Sequence, residues 1–195
     1  MNIKLILIIV FSTLYGLFEI FMSRRQQNNR KIFKSGDRGS IWILTISISL
    51  GYWLSFIIAS TKIGRIYHWN TFFVIGSVLA LIGLIIRVTS IIQLKQQFTY
   101  TVTKIENHEL IEKGLYKIIR HPGYLGQLSI FLGTSVCLSN WLSIFLMIIP
   151  VLSGYLYRIN VEERFMVEQM GQKYLDYRKR TKRLIPMIYK ERFKR

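Results

Sequence analysis

The sequence predicts an all-α integral membrane protein with about five transmembrane helices, and three observations carry that reading. Hydrophobic residues make up 51% of the 195, and mean hydropathy is positive, which fits poorly with a soluble domain of this size. Three runs reach the roughly 20 apolar residues, at about 1.5 Å of rise each, that a helix needs to cross the hydrocarbon layer. The basic residues alternate between loops as cytoplasmic and outer loops do.

The first run, residues 2–22, shows no small-residue cleavage site and is followed by Ser23, Arg24 and Arg25. That flank is a stop-transfer pattern, so the run reads as a retained helix rather than a signal peptide. The second, residues 40–60, holds no charge, and the third covers residues 71–93. Two further apolar runs, 124–138 and 141–157, are separated only by Ser139 and Asn140 and read as a tight helical hairpin. Residues 158–180 have helical composition, with Phe165, Met170, Tyr174 and Tyr177 at helical spacing among charges. They predict a partly amphipathic tail helix outside the bilayer, ended by Leu184, Ile185 and Pro186.

The net charge of +17 first suggests nucleic acid, but its distribution argues against that partner. The loop after the first helix carries Arg24, Arg25, Arg30, Lys31, Lys34 and Arg38, whereas the next carries only Lys62 and Arg65. The loop after the third helix holds Lys95, Lys104, Lys113, Lys117 and Arg120, and the hairpin tip holds none. Basic loops stay cytoplasmic, so the N-terminus is expected outside and the C-terminus inside. Anionic membrane lipid, which attracts such segments by about 1 kcal/mol per basic residue, accounts for the charge.

Composition divides the chain into amino-terminal helices, residues 1–97, and a more polar region, residues 98–195. In the first part the ionisable residues inside helices are Glu19 and Arg87, each near a cytoplasmic boundary. Snorkelling or a mutual ion pair accounts for both; a role in a substrate path is the alternative. Cys137 lies alone in an apolar run, which leaves no disulfide framework or thiolate metal cluster and makes it a small core hydrophobe.

The most informative stretch runs from Gly114 to Gly126, at the junction of water and membrane. Pro122 suits a first helical turn, and the free backbone donors there, with Arg120, could hold an anionic or polar ligand. The competing reading is a basic helix start anchored by interfacial Tyr116 and Tyr124. Arg158 and Glu162 lie four apart, hence on one helix face, where the hairpin leaves the bilayer. They are either an ordinary helix ion pair, worth a few tenths of a kcal/mol, or one wall of a small-ligand site.

Taken in order, Gly114-Leu115-Tyr116, Arg120-His121-Pro122-Gly123-Tyr124-Leu125-Gly126, Glu162-Glu163, then Gly171, Tyr174 and Tyr177, then Arg183-Leu184-Ile185-Pro186 resemble the isoprenylcysteine carboxyl methyltransferases and the related phospholipid methyltransferases. The resemblance covers residues 98–186. It implies an S-adenosylmethionine-dependent membrane methyltransferase whose cofactor site is made by the cytoplasmic loop, the helix start and the tail helix. Consistently, no glycine-rich dinucleotide fingerprint follows a strand pattern. By family position the cofactor contacts fall on His108, Glu109, Leu110 and Ile111, on Tyr116, on His121, Pro122, Gly123 and Tyr124, and on Glu162. Arg158 would face a lipophilic methyl acceptor, and no metal is implied. Rival readings are a phospholipid N-methyltransferase, a non-catalytic protein binding anionic lipid, and a membrane reductase using a nicotinamide cofactor, although such reductases usually need more helices.

Overall fold

In the computed structural model, which describes residues 3–27, 32–105 and 109–184, the apolar runs form helices where the sequence puts them. They are α1 (Ile3–Gln27), α2 (Ser40–Ala59), α3 (Trp69–Leu94), α4 (Pro122–Cys137) and α5 (Trp141–Met170), followed by the short α6 (Gln172–Arg180). Four of them, α1, α2, α3 and α5, have the length and composition to cross a membrane. The 16-residue α4 extends about 24 Å, a little short of the hydrocarbon thickness, and is wedged between α3 and α5. This is a multi-pass integral membrane protein.

Two features depart from the expected layout. The hairpin's second arm does not stop at Tyr157: α5 continues as one 30-residue helix, about 45 Å long, through Arg158, Glu162 and Glu163. No helix breaker interrupts residues 158–170, and the first residue able to end the helix is Gly171, at φ 55°. Only α6 is therefore a separate tail helix. The second departure is a two-stranded antiparallel ribbon, β1 (Ile32–Ser35) against β2 (Thr103–Ile105), which ties the loop after α1 to the loop after α3.

Close backbone approach holds the bundle together where lipid supplies no hydrophobic drive between helices. A Cβ on Gly83 would stand 2.6 Å from the Gly126 carbonyl oxygen, and one on Gly76 would stand 2.5 Å from that of Gly133, so α3 and α4 meet backbone to backbone. The α2–α5 seam adds a reciprocal pair of hydrogen bonds, Ser55 Oγ to the Ser143 carbonyl at 2.7 Å and Ser143 Oγ to the Ser55 carbonyl at 2.9 Å. Cys137 is buried, as a core residue should be. In contrast α1 meets the bundle through isolated points, with Ile8 beside Cys137 and Leu138, and the Tyr15 ring edge-on to Phe131.

The two ends of the bundle differ as the charges require. At one end Ile66 N–H donates to the Ser139 carbonyl and Trp141 N–H to Gly64, so the poorly charged loop and the hairpin tip form one cap. Asn140 completes it, accepting from Leu142 and Ser143 N–H as the N-cap of α5 and donating to the Ile63 carbonyl. The other end gathers the basic loops, the ribbon and α6, and there the candidate site forms.

Candidate active site

The site begins with the start of α4. Pro122 occupies the first turn, where its missing N–H costs nothing, and His121 precedes it. The neighbouring backbone donors are not left for a ligand, contrary to the sequence expectation. Arg120 N–H donates to the Lys182 carbonyl at 2.8 Å, His121 N–H to the Arg183 carbonyl at 3.2 Å, and Lys182 N–H back to Ile118 at 3.0 Å. Arg120 itself is committed: Nε donates to Glu163 Oε1 at 2.7 Å and Nη1 to the Thr181 carbonyl at 2.7 Å. The tail after α6 is thus strapped across the start of α4.

Glu163 is the hub of this strap, and sequence reasoning passed over it. Its carboxylate is 2% exposed and meets Arg120, His121 Nε2 at 3.2 Å and Arg183 Nη2 at 3.2 Å. The signal for it was the adjacent Glu162-Glu163 pair. Successive helical residues point about 100° apart, so one carboxylate faces the arginines of the strap and the other faces the opposite way.

Glu162 is that other carboxylate. It accepts from the Tyr124 hydroxyl at 2.7 Å and lies 3.8 Å from His121 Nδ1, while the His121 and Tyr124 rings stack at 5.4 Å and 5°. Tyr124 in turn accepts from Arg158 Nε at 3.1 Å. Hence Arg158 and Glu162, expected to pair directly, are joined instead through a tyrosine hydroxyl. The remaining donors of Arg158 reach out to the loops: Nη1 to Asp37 Oδ1 at 3.0 Å and Ser40 Oγ at 2.9 Å, and Nη2 to the Tyr100 carbonyl. Asp37 also caps α2, accepting from Ile41 N–H at 3.1 Å and Ser40 Oγ at 2.9 Å. Burial alone would raise its carboxyl, but the Ile41 N–H and the Arg158 charge outweigh that and hold it below the ordinary range.

These residues enclose a cavity with about 900 Å³ of open space at the membrane face. Of the residues singled out from sequence, Glu109, Leu110, Ile111, Tyr116, His121, Gly123, Tyr124, Arg158 and Glu162 all contribute to its wall. Pro122 is fully buried at the helix start beside it, and His108 lies outside the described residues. Sequence reasoning missed the wall formed by Phe98, Thr99 and Arg87, together with Tyr174 and Tyr177 from α6. Burial pushes the Tyr116, Tyr174 and Tyr177 hydroxyls well up, so they stay protonated at neutral pH.

A second cavity, about 800 Å³, lies deeper among the helices, lined by apolar and aromatic groups of α1, α2, α4 and α5 such as Leu44, Ile48, Tyr52, Phe131 and Tyr155. The two cavities share Arg87, Phe98, Thr99, Tyr124 and Arg158. One space faces the polar loops and the other the bilayer, with two guanidiniums in the wall between them. The expected Glu19–Arg87 ion pair forms there, with Arg87 Nε and Nη2 donating to the two carboxylate oxygens at 2.9 and 2.8 Å.

Fold and site together define a multi-pass helical membrane protein with a polar cavity at its loop end and a lipid-side cavity behind it. Residues 71–173, just over half the chain, match the family model for phospholipid methyltransferases, and the chain belongs to that family. Among curated proteins it is 32% identical over 115 residues to protein-S-isoprenylcysteine O-methyltransferase B of Arabidopsis thaliana, a match covering 58% of each chain. The protein-S-isoprenylcysteine O-methyltransferase of Schizosaccharomyces pombe is 33% identical over 109 residues, covering 55% of this chain and 46% of that one. A solved structure of a eukaryotic intramembrane Ras methyltransferase, isoprenylcysteine carboxyl methyltransferase, superposes with a TM-score of 0.58 at 28% identity, covering 74% of this chain and 52% of the other. The chain spans about half the length of these relatives.

Proposed function

We propose that the chain is an S-adenosylmethionine-dependent membrane methyltransferase that esterifies the carboxylate of an isoprenylcysteine or a similar lipophilic acid. The observation that carries this reading is the wall shared by a polar cavity and a lipid-side cavity, because methyl transfer needs a water-soluble donor and a lipophilic acceptor to meet at one point. The family and the sequence relatives support it.

The residues of the polar cavity fit the cofactor by their chemistry. The Tyr116, Tyr124 and His121 rings suit an adenine or a cationic sulfonium, and Glu162 can accept from an ammonium or a ribose hydroxyl. Glu109, Leu110 and Ile111 would close the cavity from the loop, with Gly123 at the start of α4, where Pro122 sets the helix direction. His108 joins this group by its sequence position. When bound, S-adenosylmethionine supplies an electrophilic methyl group.

The chain's own work is to bind, orient and exclude water. A carboxylate acceptor is already ionised at pH 7, so no residue needs to act as a base. Arg158 spends four of its five donors on Tyr124, Asp37, Ser40 and Tyr100, which fixes its plane and leaves one Nη2 hydrogen for an acceptor oxygen. Holding the two reactants in line at the shared wall is worth several kcal/mol in effective molarity. The acceptor's lipid would enter sideways between helices, with the basic end of the bundle facing the cytoplasm and the N-terminus outside.

Calorimetric titration of the purified protein with S-adenosylmethionine tests the cofactor half. Glu162→Gln and His121→Ala should each weaken binding at least about tenfold, about 1.4 kcal/mol. If both variants fold and bind as the parent does, the site lies elsewhere.

A further inference from the structure

The shared wall contains a second guanidinium for which the cofactor site has no use. Arg87 lies on α3, 3% exposed, and lines both cavities. Its partner Glu19 comes from α1, the helix with the sparsest packing, and that carboxylate is saturated. It accepts from Arg87 Nε and Nη2, from the Tyr15 hydroxyl at 2.7 Å and from the Tyr100 hydroxyl at 2.7 Å, four bonds for about four lone-pair sites. The guanidinium is also clamped face-on, its centre 5.2 Å from the Phe98 ring and 5.7 Å from Tyr100. Such fixing orients the third nitrogen, Nη1, which stays outside the pair with Glu19 and lies against the start of α4. A Cβ added to Gly123 would come within 3.0 Å of it.

We propose that Arg87, oriented by Glu19, is a second acceptor-recognition residue that makes the shared wall selective for lipophilic acids over lipophilic amines or neutral lipids. The inference rests on the methyltransferase reading and deepens it. Both charged groups at the wall are guanidiniums, which have only donors to offer. The carboxylates that balance them, Glu19 and Asp37, turn their oxygens to those guanidiniums and to other donors. An acceptor carboxylate therefore meets N–H groups of Arg87 and Arg158 on two sides, whereas an ammonium meets two cations. Glu19 acts as a positioning residue: it sets the plane of Arg87 without facing the acceptor's charged end.

The test is equilibrium binding, without cofactor, of N-acetyl-S-farnesylcysteine and of its carboxamide to the full chain in lipid vesicles. The parent should bind the acid at least about tenfold more tightly than the amide. Arg87→Gln should bring that ratio within about threefold while amide affinity stays within about twofold, and Arg87→Lys should restore part of it. Glu19→Gln, which keeps the Arg87 charge but loosens its orientation, should lower the ratio by at least about threefold. An unchanged ratio in Arg87→Gln overturns the proposal, as does a parallel loss of acid and amide binding in both variants, which marks a purely structural pair. S-adenosylmethionine binding by the parent is measured alongside. If the parent binds the cofactor but does not distinguish acid from amide, this inference alone fails; if it binds neither cofactor nor acid, the methyltransferase reading fails and takes the inference with it.

Discussion

At the scale of single residues, the two neighbouring glutamates of α5 divide the site between structure and chemistry. Glu163 holds Arg120, His121 and Arg183 in a nearly dry environment, and removing one member of such a buried cluster leaves the others uncompensated. Glu163→Ala should therefore destabilise the protein by about 3–5 kcal/mol, read as a fall in thermal unfolding temperature in detergent. A change of less than about 1 kcal/mol would mean that the strap across α4 is held by its backbone bonds alone. Arg158 behaves differently, because its planar set of donors is what counts. Arg158→Lys keeps the charge but cannot serve Tyr124, Asp37, Ser40 and Tyr100 together, so methyl transfer should drop at least about tenfold while cofactor affinity stays nearly unchanged. Equal losses of binding and turnover would move Arg158 into the cofactor shell.

At the scale of elements, the parts legible in the sequence were those governed by hydrophobic length. All five apolar runs became helices, and the lone cysteine became core. The cavity wall was also legible in its linear motifs, from Glu109 to Tyr124 and at Glu162, because a helix start and an i, i+4 spacing are local properties. What composition could not reveal was pairing between distant segments: the β1–β2 ribbon, the strap of residues 181–183 over Ile118 to His121, and the use of Asp37, 121 residues away, as the counter-ion of Arg158. The continuation of α5 past Tyr157 was concealed for another reason. A change from apolar to charged residues looks like a boundary, but a helix ends only where backbone geometry makes it, here at Gly171.

Two element-scale consequences can be measured. Gly83→Val places new atoms against the Gly126 carbonyl and should cost about 1–3 kcal/mol, whereas Gly16→Ala on α1, where a Cβ meets nothing within 4 Å, should cost nothing. Equal effects at both positions would refute the close α3–α4 seam. Asp37 links the first loop to α5 with a carboxyl held below its unfolded pKa of about 3.9. A group depressed in the folded state contributes stability that is fully present above about pH 4 and is lost as pH falls through the folded value. Unfolding temperature followed from pH 6 to pH 3 should thus fall more steeply in the parent than in Asp37→Asn, and parallel curves would show that Asp37 is not so coupled.

At the scale of the whole molecule, the segregation of basic loops from the hairpin tip gives the protein a polar working end and an inert end. Tyr67 is 91% exposed at the inert end, and Lys117 is exposed at the working end. A cysteine replacing Tyr67 should react with an impermeant thiol reagent on intact cells, one replacing Lys117 only after lysis, and the reverse pattern would invert the orientation. The two-cavity arrangement has a direct test of its own. The full chain in lipid vesicles is given S-adenosylmethionine labelled in its methyl group and a farnesylated cysteine, and base-labile label in the lipid fraction is counted. The expected result is a methyl ester on the acid and no label on the matching carboxamide; cofactor binding without transfer to any lipophilic acid, or no cofactor binding at all, would contradict a methyltransferase working at the shared wall.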